Sequence, residues 1–373
     1  MTAKLFGMPG SLYTARARSY LIKQRIDFEE CIPADPAWPN ITQQIGRWII
    51  PVLVLADGTI IQDGVAIIDH FEAAGARLPA HPQTPAHRAI GHLFELFGGE
   101  GLLRPAMHYR WNFDAENLAF LQRDFVCGLM PGATGDVEAA VFGAASGRMR
   151  KAAASFGVNA ETASTIEASY AVFLDRLEAH LAEYPYLLGG RPTLGDYGLI
   201  APLYPHLARD PAPAALMKAR DHHVWRWVER MNVPQAQLGG HAARGEALIP
   251  DDAVPETLKA LMRFVAEDFL PELAAHVGFA NDWLAARPDL AAGTNGLERP
   301  GIRGIGMATF DWRGHSLTTA VMPYRFWLLD RLRTAAAPAA ALFAETGLGD
   351  LLTLQTDRPV ERHGNFEVWG APR

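Results

Sequence analysis

The sequence predicts an α/β domain at the amino terminus, an all-α segment in the middle and an α+β lobe at the carboxyl end. In the first part, short apolar runs typical of strands alternate with stretches of helical spacing. From about residue 85, Ala, Leu, Glu and Arg dominate and the alternation typical of strands is scarce. The last part combines amphipathic helical spacing with one hairpin pattern. We therefore predict units at 1–80, 85–234 and 235–373.

The elements predicted in the first unit follow the order βαβ, an irregular link, and then ββα. Asp57-Gly58 between two apolar runs is typical of a tight hairpin. Three prolines between residues 33 and 39 predict an irregular link, because proline disrupts a helix interior. The predicted elements are the strand 3–8, the helix 12–24, the strand 28–32, the hairpin strands 49–55 and 59–61, and a helix that starts at Asp63.

Ser11 stands where the first strand gives way to the first helix. It follows Pro9-Gly10, a dipeptide typical of a turn, and precedes a segment of helical spacing. A helix N-terminus offers unpaired N–H groups and a partial positive charge, so an anion such as a thiolate or a carboxylate is stabilised there. The alternative is that Ser11 is a plain N-cap. If the protein catalyses a reaction, we expect the chemistry beside Ser11.

The charge and the cysteine content of the chain restrict the kinds of partner and compartment that we expect. The 373 residues carry a formal net charge of −7, which argues against a nucleic-acid partner. The only two cysteines, Cys31 and Cys127, do not make a disulfide framework, so we expect a reducing compartment. We find no signal peptide, no apolar run long enough to span a membrane and no metal-ligand motif. We therefore expect a cytoplasmic protein without a membrane partner or a metal.

The order of elements, together with Pro51 and the Asp-Gly hairpin, resembles the thioredoxin-like domain of glutathione transferases. The run 57–67 is particularly similar to the bacterial members. The resemblance implies a cis peptide bond between Ile50 and Pro51, with the backbone of Ile50 binding the cysteinyl part of glutathione. It further implies that Asp63 and Gly64 bind the γ-glutamyl end: the acid takes the ammonium, and a helix N–H takes the carboxylate.

The same resemblance places the thiol-activating residue at Ser11, whose hydroxyl would donate to the glutathione thiolate. Tyr13 is the rival donor. A free thiol has a pKa near ~8.5, and each unit of depression requires about 1.4 kcal/mol of preference for the anion. A hydroxyl donor and a helix N-terminus together supply roughly 2 to 3 kcal/mol. Thr14 stands where a CxxC pair would need cysteine, so a redox mechanism of that kind is excluded.

Two stretches of the middle segment bear on the site. Thr193 and Asp196 form a capping-box pattern at a helix start after Gly189-Gly190, and we assign them a structural role. The stretch 107–113 is rich in aromatic and basic residues. The resemblance implies that it forms a wall of the site for the electrophile, with His108, Arg110 and Trp111 as substrate-binding residues. A buried helical core is the alternative.

The last unit exceeds the usual length of the family. Residues 258–265 predict an amphipathic helix. Pro271 and Gly278 predict interruptions of the next helical run, residues 308–321 predict a hairpin, and 324–332 predict a further helix. Our hypothesis is that this lobe covers the substrate cleft. It rests on a cluster of aromatic and basic residues, namely Phe310, Trp312, His315, Tyr324 and Arg325. A structural layer and a dimer element are the alternatives.

These observations lead us to expect a glutathione transferase-like enzyme that conjugates the glutathione thiolate, as co-substrate, to an electrophilic and mostly apolar small molecule. The same thiolate would serve isomerisation, dehalogenation or ether cleavage. The resemblance implies a homodimer. The alternative is a non-catalytic module on the same fold that binds glutathione or another ligand, because fold does not fix function.

Overall fold

The computed structural model describes residues 2–235, 241 and 245–373. Its amino-terminal domain is built on a four-stranded mixed sheet of order β2-β1-β3-β4. β1 runs parallel to β2 and antiparallel to β3, and β3 forms the expected hairpin with β4. The elements are β1 Ala3–Phe6, α1 Leu12–Gln24, β2 Phe28–Cys31, α2 Trp38–Ile45, β3 Val52–Val54, β4 Ile60–Gln62 and α3 Gly64–Ala73.

The helix α2 corrects the prediction of an irregular link. Pro39 lies in its first turn, where a backbone N–H has no intrahelical partner, so proline is tolerated there. Trp38, Ile41 and Ile45 are spaced to share one face of the helix and are buried in one apolar cluster with Phe6 and Val52. The prolines therefore fix where the helix starts and do not prevent it.

The middle segment is helical, as predicted. A π-helical turn, Phe97–Gly101, joins α4 to α5. At this turn a Cβ on Gly98 would come within 2.3 Å of the carbonyl carbon of Gly198 in α9, so the two backbones touch only because glycine stands at Gly98. The helices are α4 Pro85–Leu96, α5 Leu103–Trp111, α6 Asp114–Leu129, α7 Gly135–Ala154, α8 Ala163–Glu183, α9 Leu194–Leu203, α10 Pro211–Arg220 and α11 His222–Met231.

The capping box predicted at Thr193 is present and starts α9. Asp196 is completely buried. Its Oδ2 accepts from the Thr193 backbone N–H at 2.9 Å, and its Oδ1 accepts from the Leu187 N–H and the Trp227 Nε1–H, each at 3.1 Å. One carboxylate therefore joins the helix start to the preceding turn and to α11.

The carboxyl-terminal lobe contains helices and the hairpin predicted at 308–321, together with a second hairpin, at 360–369, that was not predicted. α13 corrects one detail, because it runs through Gly278 without interruption and carries Pro271 in its first turn. The hairpin of β5 and β6 turns at Arg313 and Gly314, both with positive φ, as two-residue hairpin loops require. The elements are α12 Glu256–Asp268, α13 Leu270–Ala285, β5 Gly306–Trp312, β6 His315–Val321, α14 Pro323–Ala336, α15 Ala340–Glu345, β7 Val360–His363 and β8 Phe366–Trp369.

Apolar packing attaches the lobe to the rest of the chain, since residues of all three units share one hydrophobic cluster. α14 lies along α4. At the carboxyl end, Trp369 is 1% exposed and its ring lies 5.9 Å from Trp283 and 6.4 Å from Phe326. This buried ring anchors the carboxyl end of the chain on the lobe.

A buried ionic network centred on Glu272 of α13 also ties the lobe to the helical domain. Arg104 of α5 donates to one carboxylate oxygen at 2.6 Å and Arg325 of α14 to the other at 2.7 Å. Burial opposes the charge on Glu272, but the two guanidinium groups outweigh it and lower the pKa of the carboxyl to about 2.

Asp196→Ala is expected to destabilise the fold by about 3 kcal/mol, because it leaves several buried donors without an acceptor. Urea unfolding measures this loss. Asp175→Ala is the matched control: Asp175 is 62% exposed in its pair with Arg220, and its loss is expected to cost less than about 1 kcal/mol. Equal effects of the two substitutions would contradict a structural role for Asp196.

Glu272→Gln is expected to lose stability at neutral pH and to approach the wild type in acid. The pKa of Glu272 is about 2 in the folded chain and is near ~4.3 unfolded, so its contribution is complete above the unfolded pKa and disappears as pH falls from there toward 2. Thermal unfolding of both proteins between pH 7 and pH 3 measures this. Glu267→Gln is the control, because the Glu267 side chain, which pairs with Arg176, is 53% exposed. A stability difference that does not change with pH would refute the prediction.

Candidate functional site

Ser11 lies in the turn between β1 and α1, at the start of the helix. Its backbone is extended, with φ −92° and ψ 126°, and its Oγ accepts from the Thr14 N–H at 3.3 Å. The backbone N–H of Ser11 donates to Met8 O at 3.0 Å and so fixes the turn. Because the cap uses Ser11 as an acceptor, the hydroxyl keeps a proton to donate, at the positive end of a 13-residue helix.

Arg110 of α5 supports this turn from the core. Its Nη1 donates to Gly10 O at 2.9 Å, while Nε and Nη2 form a bidentate pair with Asp210 at 2.7 and 2.8 Å. Nη2 also donates to Pro205 O at 2.7 Å. The structure therefore places Arg110 behind the residue that precedes Ser11, with its donors engaged within the protein.

The two other residues predicted to contact the electrophile also lie in the core. His108 is 1% exposed, and its Nε2 lies 2.9 Å from Glu167 Oε1. Burial lowers the pKa of His108, although Glu167 acts in the opposite direction. Trp111 is 4% exposed, with Arg150 over its ring and Phe125 beside it. A substrate-binding role for these residues remains a prediction.

Tyr13 is the second residue of α1, and its phenol points to the helical domain. The hydroxyl donates to Glu100 Oε1 at 3.4 Å. Burial raises the pKa of Tyr13, and the neighbouring Glu100 carboxylate raises it further. The structure therefore brings Tyr13 close to Ser11 in the chain but pairs its hydroxyl with a buried acid.

The Ile50–Pro51 peptide bond is cis, as the resemblance implies. Ile50 packs against the apolar cluster that contains Trp111. The same cluster includes Met8 from the β1–α1 turn and Phe310 from β5 of the lobe. The lobe therefore contributes apolar side chains to the cluster on which Ile50 packs, an arrangement consistent with the hypothesis of a covering lobe.

Asp63 caps α3 and has a positive φ of 93°. Its Oδ1 accepts from the Val65 N–H at 2.7 Å. Gly64 begins the helix, and a Cβ there would lie 3.2 Å from both Tyr13 O and the Arg16 Cδ, so the start of α3 packs closely on α1. The sequence-predicted pair is thus placed beside the helix that Ser11 starts.

The lobe reaches Asp63, and sequence reasoning missed most of this contact. Arg362 of β7 has its Nη1 3.0 Å from Asp63 Oδ2, and its Nη2 donates to Gln62 Oε1 at 3.0 Å. The Tyr324 hydroxyl donates to Asp63 Oδ1 at 3.2 Å. Tyr324 belongs to the predicted cluster over the cleft, but nothing in the local pattern around Arg362 pointed to it.

Two further findings concern metals and membranes. Across residues 2–235, 241 and 245–373, no group of three or more His, Cys, Asp or Glu side chains is arranged to hold a metal ion. In the same described residues, no helix has both the length and the apolarity that a membrane crossing requires.

Comparison with known proteins places two domain models on the chain. Residues 5–77 match the model of the glutathione S-transferase N-terminal domain, and residues 166–230 match that of the glutathione S-transferase C-terminal domain. No curated protein matches the chain.

Three of the similar solved structures are matched over nearly their whole length. A glutathione S-transferase from Rhodospirillum rubrum F11 is 16% identical with a TM-score of 0.37, over 70% of this chain and 99% of that one. A beta-etherase from Sphingobium sp. strain SYK-6 is 18% identical with a TM-score of 0.43, over 63% and 97%. A glutathione transferase from Phanerochaete chrysosporium is 14% identical with a TM-score of 0.45, over 63% and 98%.

The two domain models match the chain in the order amino-terminal then carboxy-terminal. The first model covers the amino-terminal domain, which contains Ser11, Pro51 and Asp63. The second covers the capping box at Thr193. The fold predicted from the sequence, with its thioredoxin-like domain, helical domain and added lobe, agrees with these two matches. The chain therefore carries two segments that match glutathione S-transferase domain models, at residues 5–77 and 166–230, together with an additional carboxyl-terminal lobe.

Proposed function

We propose that the protein transfers the glutathione thiolate to an electrophilic carbon of a mostly apolar small molecule. A carbon–sulfur bond forms, while a group such as halide leaves that carbon with its electron pair, an epoxide ring opens or a conjugated double bond takes up the electron pair. Ser11 stabilises the thiolate, the backbone of Ile50 beside Pro51 aligns the cysteinyl part, and Asp63 with Gly64 receives the γ-glutamyl end. The observation that carries the proposal is the position of Ser11: a hydroxyl that retains its proton at the start of α1, in a domain that matches the family model.

The geometry favours Ser11 over Tyr13 as the thiolate donor. Ser11 is half-buried and its hydroxyl accepts one backbone N–H, which leaves its proton for the ligand. The Tyr13 hydroxyl already donates to Glu100. For Tyr13 to serve the thiolate, it would have to break this bond and leave a buried carboxylate oxygen with one donor fewer.

In this proposal the electrophile binds beside Ile50. Side chains of the β1–α1 turn, the helical domain and the lobe hairpin form one apolar cluster there. An apolar ligand would find contacts there without the loss of polar hydration. His108, Arg110 and Trp111 act from behind this surface, by holding α5 and the turn at Gly10. We further propose a cytoplasmic homodimer, which light scattering and cell fractionation test.

A non-catalytic binding module is the second candidate, and a specific observation favours it. Asp63, the acid proposed for the ligand ammonium, is already paired with Arg362 and accepts a hydrogen bond from Tyr324. A site whose anchoring acid is occupied by its own chain can retain a ligand without turning it over. The two candidates differ in activity, and retention of glutathione is common to both.

Ser11→Ala is expected to lower conjugation of glutathione to an aryl halide by about 10- to 100-fold at pH 7, because loss of one hydroxyl donor to an anion costs about 1.5 to 3 kcal/mol. Part of the rate is expected to return at higher pH, where the thiol ionises without help. Initial rates from pH 6 to pH 9, with the ultraviolet absorbance of the bound thiolate, measure both effects.

Tyr13→Phe is the companion variant, since it removes a hydroxyl on the same helix turn. It is expected to leave the bound thiol pKa unchanged and the rate within about 3-fold of the wild type, because Tyr13 donates to Glu100 and not to the ligand. A full loss of activity in Tyr13→Phe together with an active Ser11→Ala would transfer the donor role to Tyr13.

Wild-type protein is expected to be retained on immobilised glutathione and to be eluted by the free tripeptide. Retention with measurable turnover supports the transferase, because binding and thiolate stabilisation then occur at one site. Retention without turnover of any of a panel of aryl halides, epoxides and unsaturated carbonyls supports the binding module. Failure to be retained, with no heat of binding in solution, would contradict both candidates.

A further inference from the structure

Three arginines from three separate segments converge beside the acid end of the candidate site. Arg47 lies between α2 and β3, Arg303 precedes β5, and Arg362 is in β7. All three face one carboxylate, that of Glu367 in β8, with nitrogen–oxygen separations of 3.6, 3.7 and 3.9 Å. These distances are within the range of ion pairs but exceed those of hydrogen bonds.

The arrangement leaves several buried donors in ion pairs but without hydrogen bonds. Among the described residues, Nε and Nη1 of Arg47 and of Arg362 find no acceptor with hydrogen-bond geometry, nor does Nε of Arg303. The side chains of Arg47 and Arg362 are only 9% and 7% exposed. Buried donors are normally paired, so this group has the character of a site built to receive an acceptor.

The charges in the group favour an anion as that acceptor. Three guanidinium groups are set against two carboxylates, those of Asp63 and Glu367, which leaves an excess of one positive charge among these five side chains. A carboxylate offers two oxygens to the paired nitrogens of a guanidinium and suits this geometry.

The same geometry disfavours a cation at Asp63. Arg362 lies 3.0 Å from Asp63 Oδ2, and the Tyr324 hydroxyl donates to Oδ1, as does the Val65 N–H. An ammonium group brought to Asp63 would compete with a guanidinium that the aromatic rings of Tyr324 and Trp327 hold in place at 5.6 and 5.2 Å. Like charges close to a single acid repel each other.

We infer that Arg362, with Arg303 and Arg47, makes this end of the site specific for a carboxylate and removes the requirement for a neighbouring ammonium. The inference rests on the proposed function and narrows its thiol substrate: the site takes γ-glutamyl-type peptides and prefers those that lack the free α-amino group. Arg362 is thus a specificity-determining residue supplied by the added lobe. The lobe supplies to Asp63 the positive charge that the ligand would otherwise bring.

The test compares two thiol ligands on the full-length protein by isothermal titration calorimetry. One is glutathione, and the other is its deaminated analogue, in which hydrogen replaces the α-amino group. The wild type is expected to bind the analogue about 10-fold more tightly, because the analogue avoids the repulsion at Arg362. Arg362→Gln is expected to reverse the preference toward glutathione, since Asp63 is then free for the ammonium.

Three further variants control the experiment. Arg362→Lys keeps the charge and is expected to keep the preference for the analogue. Arg373→Gln removes an arginine whose partner is Asp330 of α14 and that makes no contact with Asp63 or Glu367 among the described residues, and it is expected to change neither affinity. Arg303→Gln, at a side chain that is 31% exposed, is expected to weaken binding of the analogue and serves as the second variant if Arg362→Gln does not fold.

The outcomes separate this inference from the proposed function. Wild-type binding of glutathione at least as tight as that of the analogue, with the same ratio in Arg362→Gln, would overturn the inference and leave the proposed function standing. Absence of binding of both ligands by the wild type and by every variant would overturn both. Loss of the preference in the Arg373→Gln control would also overturn the inference, because the effect would then be one of net charge alone.

Discussion

The carboxylate of Asp63 links the amino-terminal domain to the lobe. It caps α3 through the Val65 N–H and stands at the positive end of that helix, so its charge is favoured locally. Arg362 and Tyr324 reach it from the lobe. An ion pair with little solvent around it requires further hydrogen bonds to offset desolvation, and Asp63 accepts them from the Val65 N–H and the Tyr324 hydroxyl. The same acid therefore serves the start of a helix, the docking of the lobe and the proposed ligand site.

Two other ionic contacts set the position of the lobe, on other faces of the chain. Arg331 of α14 forms a bidentate pair with Asp69 of α3 at 2.6 and 2.9 Å, and Glu272 joins Arg104 to Arg325 in the interior. The Glu272 pairs are buried, and buried pairs contribute little net stability but penalise every arrangement in which one partner is left alone. Apolar burial, as around Trp369, supplies the stabilisation, while the ion pairs select one arrangement of the lobe.

The amino-acid sequence was sufficient to predict those elements whose structure is determined by residues close together in the chain. The helix at 12–24, the hairpin at Asp57-Gly58 and the capping box at Asp196 depend on residues a few positions apart, and the structure has all three. The sequence predicted an irregular link around Pro39 and a helix interruption at Pro271. Both prolines instead lie in the first turn of a helix, where proline is tolerated. The contacts of the lobe could not be predicted: Arg362 and Gln62 are 300 positions apart, and no periodicity connects them. Ser11 was identifiable from its turn, whereas the occupancy of Asp63 depends on the tertiary fold.

The lobe also bears on which hydroxyl of α1 is available to a thiolate. Arg325 lies 3.6 Å from the Glu100 carboxylate and so opposes the burial that raises the pKa of that acid. Glu100 in turn accepts from the Tyr13 hydroxyl. Glu100 keeps Tyr13 occupied, because a phenol that left it would leave a buried carboxyl oxygen without its donor. Ser11, on the other side of the same turn, has only a backbone N–H to satisfy. The choice of Ser11 in the proposed reaction therefore follows from contacts that the added lobe makes with the helical domain, as well as from the position of Ser11 in the thioredoxin-like domain.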